Sequence, residues 1–276
     1  MGETRALTGE MRELARTLEP DRYLAALLSP RAARDDLIAL AAFVAELKRI
    51  PQIVSDPHLA EIRLAWWRDA LLAGDGAATG NPQADAMRAM IARHALDRGA
   101  LAAWLDALTH TFYSAPPDDE AHLDLELSLI EGTPFVFAAH LCGATADADL
   151  DAACRAAGIA YGLARRGLEF PRSLARGRVP LPGLLSSSGQ ADVNALTAVA
   201  ARTRLEALAP PRVEAAKSTF AKLEWAGKAA LLPIALVEPY LRASCDQGHD
   251  LTRELADVAP LTRVWRLWRA HMTGHV

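Results

Sequence analysis

Apolar residues recur along this chain at helical spacing, in stretches of roughly 12 to 25 residues, and the clearest runs from Leu37 through Phe43, Leu47 and Ile50. Such a pattern gives each helix one apolar stripe to bury against its neighbours. Breakers separate the stretches: Ser29-Pro30, Pro51, Asp56-Pro57, Gly74-Asp-Gly76, Gly80-Asn-Pro82, Ala115-Pro-Pro117, the stretch from Asp147 to Asp151, Val179 to Ser188, and Pro210-Pro211. About eight to ten helices are expected from this punctuation. Two helix starts have a visible cause. Asp118-Asp119-Glu120 after Pro117, and Asp147, Asp149 and Asp151, place negative charge where a helix N-terminus is partly positive. Asp147 and Asp151 also have a DxxxD spacing, but they follow a Gly143-Ala-Thr-Ala linker, so they read as caps.

Composition supports an all-α class. The chain has 276 residues, 51% hydrophobic but only 6% aromatic, and its Ala and Leu content suits packed helices better than β-sheets. No repeat of solenoid length occurs. The Pro/Gly/Ser-rich segment Pro180 to Gly189 is either an interdomain linker or a loop capping the bundle, and the loop is favoured because the segments after it, including Lys222 to Tyr240, are as apolar as those before. The net charge of −4 argues against nucleic acid as a partner. Cys142, Cys154 and Cys245 have neither CxxC spacing nor a histidine cluster, so no metal site or disulfide framework is expected and the compartment reads as reducing. With no signal-peptide pattern and no apolar run of membrane-spanning length, the expected location is cytoplasmic, with any membrane contact peripheral.

Two segments then add a family likeness. One is Leu37 to Gln52, and the other runs from Gly158-Ile-Ala160-Tyr161-Gly162-Leu163 to Arg176-Gly177-Arg178-Val179-Pro180-Leu181-Pro182. Together with Arg22-Tyr23-Leu24, Ser29-Pro30, Ile62 to Leu71, Glu126 to Thr133, Leu231-Leu232-Pro233 and Tyr240-Leu241, they resemble the squalene/phytoene synthase family. The resemblance implies a single-domain, prenyltransferase-like helical bundle with a central cavity over residues 21–276, preceded by an N-terminal extension, 1–20. In that family, aspartate-rich motifs on two facing helices hold magnesium ions, which bind the substrate's diphosphate and stabilise it as it leaves.

Those carboxylates are replaced here. Aligned through Ala42-Phe43, the first motif's aspartate positions fall on Lys48, Arg49 and Gln52. Aligned through Gly158, Ala160 and Gly177-Arg178, the second motif's aspartates fall on Glu169 and Ser173, and its glutamine and asparagine on Gly162 and Arg165. Cations at aspartate positions repel a divalent ion, so magnesium is not expected as a cofactor and no catalytic residue is assigned. Ala42-Phe43-Val-Ala-Glu46-Leu47 also resembles a divergent branch represented by a mitochondrial complex I assembly factor with a phytoene-synthase-like domain. That likeness implies a non-catalytic role in assembling a respiratory membrane complex, with assembly partners and an isoprenoid or lipid ligand.

Other features carry paired readings. Arg165, Arg166, Arg172, Arg176 and Arg178 around Glu169 form either a direct anion site or a solvated basic helix end. Phe43, Trp66, Trp67 and Tyr161 are either cavity wall or core. The segment 261–272, with Arg263, Arg266 and Arg269 among Trp265, Trp268 and Met272, suits a helix on an inner-membrane surface or one packed on the bundle with its arginines outward; packing is favoured. His271 and His275 lie too near the chain end for a rigid metal site. Two rival functions remain: a head-to-head prenyl-diphosphate synthase, which needs Glu46 or Glu131 to join Glu169 at the cavity, and a carrier of a polyprenyl lipid or quinone.

Overall fold

The fold is set by where the chain breaks its helical stripes and by which stripes meet. The computed structural model describes residues 2–54, 56–73, 78–113, 116–184 and 196–276. Gly74 to Gly76, Ala115 and the residues from Leu185 to Gly189 lie outside them. Among the described residues the chain is helical without strands: α1 (Gly2–Leu18), α2 (Pro20–Leu28), α3 (Arg34–Ile53), α4 (Pro57–Leu72), α5 (Pro82–His94), α6 (Arg98–Tyr113), α7 (Glu120–Leu127), α8 (Thr133–Leu141), α9 (Ala148–Leu168), α10 (Phe170–Ala175), α11 (Ala198–Lys222), α12 (Trp225–Ala230), α13 (Val237–Ser244) and α14 (Pro260–Thr273). This exceeds the expected number. Two junctions outside the expected breakers, Glu19-Pro20 and Glu169-Phe170, divide abutting helices without opening a loop.

The acidic starts behave as caps. Asp119 accepts from the His122 N–H at 2.7 Å and Asp147 from the Leu150 N–H at 2.8 Å, each satisfying a first-turn donor. Pro210-Pro211 is a correction: the pair lies inside α11 rather than ending it. Both prolines are on the exposed face, as are Glu206 and Ala207, whose carbonyls lose their donors and can turn to water instead. The opposite face, Leu205, Leu208, Arg212 and Ala216, is buried. Arg212 ties it to α7 through Asp124 at 2.7 Å and Glu120 at 3.2 Å.

Helix α9 is the bundle's centre, packed on α11, α13, α8 and the segment between α7 and α8. That segment, Ser128–Gly132, is a π-turn within a nearly continuous helix. Its approach to α9 requires glycine. A Cβ on Gly158 would lie 2.4 Å from the Gly132 nitrogen, and one on Gly162 would lie 2.7 Å from Leu127 Cδ2. On the far side of α3, Phe43 meets Trp67 and Trp104 edge-on at 5.2 and 5.6 Å, and Trp104 meets Phe137 at 6.2 Å, filling the interior between α3, α4, α6 and α8. A second cluster joins Leu123 and Leu127 to Leu163, Phe170, Leu181, Leu205 and Leu251, so segments on both sides of residues 180–189 share one core. Helix α1 lies along α3, with Met11 and Ala15 in the core.

Candidate functional site

A cleft of about 540 Å³ opens where the C-terminal half of α3 faces the end of α9. Its wall includes Lys48, Arg49, Gln52, Arg165, Glu169, Arg172, Ser173, Arg176 and Arg178, so the fold brings both degenerate motif positions to one site. Arg166, Leu47, Leu108, Phe112, Glu126, Leu127, Ile130, Glu131 and Gly162 also line it.

The polar floor is an alternating chain of ion pairs. Lys48 Nζ lies 2.6 Å from Glu131 Oε1 and 3.2 Å from Glu19 Oε1, in off-axis ion contacts. Arg165 spans Glu19 at 3.2 Å and Glu169 at 2.8 Å. Arg22 reaches Glu131 at 2.9 Å and Glu19 at 3.5 Å, its guanidinium 4.5 Å over the Phe135 ring. Three carboxylates and three cations therefore close on one another. Burial raises the Glu131 carboxyl, but Lys48, Arg22 and Arg165 outweigh it and hold the group down at about 2. Glu169 is likewise below the ordinary carboxylate range, burial opposing but Arg165 and Lys48 prevailing.

Sequence reasoning did not assign Glu19, Arg22 or Asp21 to the site. Glu19 stood in the presumed N-terminal extension, yet it is 1% exposed and touches all three cations. Its one local signal is the following Pro20, which ends α1 and turns the side chain inward. Glu131 was named as a carboxylate that could join Glu169, and it does so; Glu46 instead pairs with Arg49 at 3.0 Å. Asp21, also buried, accepts from the Tyr161 and Tyr240 hydroxyls at 2.8 and 2.6 Å. Burial and the Asp21 charge push both phenols well above their ordinary value.

The four aromatics read as either cavity wall or core stand away from the cleft. Phe43, Trp66, Trp67 and Tyr161 are all absent from the cleft lining. Phe43 and Trp67 are core, Tyr161 is buried beside Asp21, and Trp66 is 42% exposed on the outer side of α4. Gln52 Nε2 bonds back to the Lys48 carbonyl at 3.3 Å and Ser173 Oγ to the Glu169 carbonyl at 3.4 Å, both local helix contacts.

The rim differs from the floor. Arg172 and Arg176 are exposed and have no carboxylate partner among the described residues. Arg178 donates to the Phe112 carbonyl at 2.7 Å, and burial together with Arg176 lowers its guanidinium from the ordinary value. Arg166 is already paired with Glu126 and Pro180. Arg172, Arg176 and Arg178 are thus the uncompensated cations of the group.

The family model for squalene/phytoene synthases matches residues 15–271. The chain belongs to the squalene/phytoene synthase family. Its fold is similar to that of a dehydrosqualene synthase in complex with a ligand, at 14% identity over 99% of both chains with TM-score 0.73. It is also similar to squalene synthase HpnC from Alicyclobacillus acidocaldarius, at 18% identity over 91% of this chain and 97% of that one with TM-score 0.68. A third likeness is to TcSQS in complex with a ligand, at 12% identity over 95% and 85% with TM-score 0.69. No curated protein matches the chain in sequence.

Magnesium, which this family implies, does not fit these residues. Hard divalent ions need several uncommitted oxygen ligands. Here Glu19, Glu131 and Glu169 are each held by cations of the chain, and Lys48 lies between two of them. Among the described residues no group of three or more His, Cys, Asp or Glu is arranged to hold a metal. No helix among them is long and apolar enough to cross a membrane.

Proposed function

We propose that this protein is a non-catalytic squalene/phytoene synthase-like protein, in which Lys48, Arg22 and Arg165 neutralise the carboxylates of the cleft floor and Arg172, Arg176 and Arg178 at the rim take an anionic headgroup directly. The closed ion-pair floor carries this reading, because ionising an allylic diphosphate with metal help requires free carboxylates. The rim fits one or two phosphate groups by charge and by guanidinium geometry. Leu47, Leu108, Phe112 and Ile130 offer apolar surface beside it for the start of an isoprenoid or lipid chain. We assign the biological role to assembly or maturation of a respiratory membrane complex of the complex I type, with inner-membrane contact; this rests on the likeness at Ala42 to Leu47.

The experiment incubates the protein with farnesyl diphosphate and magnesium and measures released inorganic diphosphate. No release above background is expected. Release at enzymatic rates, abolished by Glu169→Ala, would replace this reading with that of a prenyl-diphosphate synthase. One observation favours that rival: Glu131 and Glu169 do converge on the cleft. Deleting the gene should lower complex I abundance and activity, and unchanged levels would remove the assembly role.

A further inference from the structure

Helix α14 presents its apolar residues to solvent. Leu267 and Ala270 are buried against the bundle, and Arg263 turns inward, bonding the Val258 carbonyl at 3.1 Å and lying 3.8 Å from Asp21. The opposite arc of the same helix is Leu261, Val264, Trp265, Trp268 and Met272, between 44% and 83% exposed. At a hundred degrees per residue these five fall within roughly one third of the helix circumference, with Arg269 beside them and half-buried Arg266 further round towards Glu238. The Trp265 and Trp268 rings lie 5.2 Å apart, and Trp225, also exposed, extends the patch through His271. The sequence expectation of a packed helix with outward arginines is therefore half right: α14 is packed, but its outward arc is apolar and arginine borders it.

Charge selects the occupant. Residues 260–276 hold three arginines and no acidic residue, in a chain whose net charge is −4. Asp257, next to the helix start, is engaged by Arg263. Arg269 is exposed, with no partner among the described residues. A stable interface between two copies draws roughly 20 to 30 residues from each partner, whereas this arc is one side of one 14-residue helix. A thin apolar arc with paired tryptophans and a basic border matches the boundary between lipid headgroups and acyl chains.

We propose that α14 docks the protein on an anionic bilayer, lying in the headgroup layer with Leu261, Val264, Trp265, Trp268 and Met272 inserted and Arg269 among the lipid phosphates. The inference stands on α14 alone and is independent of what the cleft binds.

The test is co-sedimentation of the full chain with vesicles of phosphatidylcholine alone and with about one third phosphatidylglycerol. Binding to the anionic vesicles is expected to be about tenfold tighter or more, with a blue shift of tryptophan emission. Trp265→Ser/Trp268→Ser should weaken binding about tenfold or more, and Arg269→Glu should remove most of the anionic preference. These side chains are exposed, so circular dichroism should show unchanged folding. Absence of wild-type binding to anionic vesicles, or equal binding by the double tryptophan variant, would overturn the proposal. So would a dimer in sedimentation equilibrium that the same variant dissociates, which would give the face to a second copy.

Discussion

Lys48 is the residue on which the site turns. It stands where the family's first motif carries an aspartate, and its ammonium lies between Glu131 and Glu19. Replacing it by methionine leaves two buried carboxylates short of a counter-ion, and the expected loss is about 3 kcal/mol by urea denaturation. Lys48→Met/Glu131→Gln should recover roughly half of that, since the second change removes the stranded charge. If the single variant were as stable as the wild type, the cation would not hold the floor together. Glu131 also sets the acid response. Its carboxyl is held at about 2, below its ordinary 4.5, so its contribution is fully present above about pH 4.5 and is lost as pH falls towards 2. Glu169 shifts in the same direction. Denaturation midpoints should fall steeply between those limits in the wild type and less so in Glu131→Gln. Lys48, Arg49 and Glu169 could be read from the sequence because the family resemblance aligns them with the two motif positions. Glu19 and Arg22 could not, because their partners lie on α3, α8's preceding π-turn and α9, far away along the chain.

At the scale of elements, the contact between α9 and the π-turn positions the floor. Glycines at 132, 158 and 162 let Glu131 come alongside Arg165's helix. Gly158→Ala would drive a methyl group into the Gly132 backbone, at a cost of about 3 kcal/mol or more by thermal or chemical denaturation. Gly9 is the control: a Cβ there meets nothing within 4 Å, and Gly9→Ala should stabilise α1 by roughly 0.5 to 1 kcal/mol. Equal effects at the two positions would show that the close approach has no energetic weight. Element existence was legible from apolar periodicity, and the starts at Asp119 and Asp147 from their side-chain chemistry. Two breakers misled for stated reasons: Pro210-Pro211 sits on a solvent face, and Pro51 falls in the last turn of α3. A π-turn leaves no local mark in composition, so Ser128–Gly132 was invisible before the packing was seen.

For the whole molecule, the bundle keeps the family's frame and places both motif positions across one cleft, yet the interior beyond α3 is closed by Phe43, Trp67, Trp104 and Phe137. The sequence left Phe43, Trp66, Trp67 and Tyr161 as either cavity wall or core. The structure gives a cleft that none of these four lines and whose polarity divides into a neutralised floor and a cationic rim. Arg172→Ala/Arg176→Ala should therefore weaken anion binding about tenfold or more while leaving stability unchanged, because both side chains are exposed. The most direct test of the central claim, that internal cations have taken the place of metal ions, is calorimetric titration of the protein with farnesyl diphosphate in magnesium and again in EDTA. Binding of equal affinity in both buffers, lost in the Arg172→Ala/Arg176→Ala variant, is the predicted result; binding that requires magnesium would contradict it.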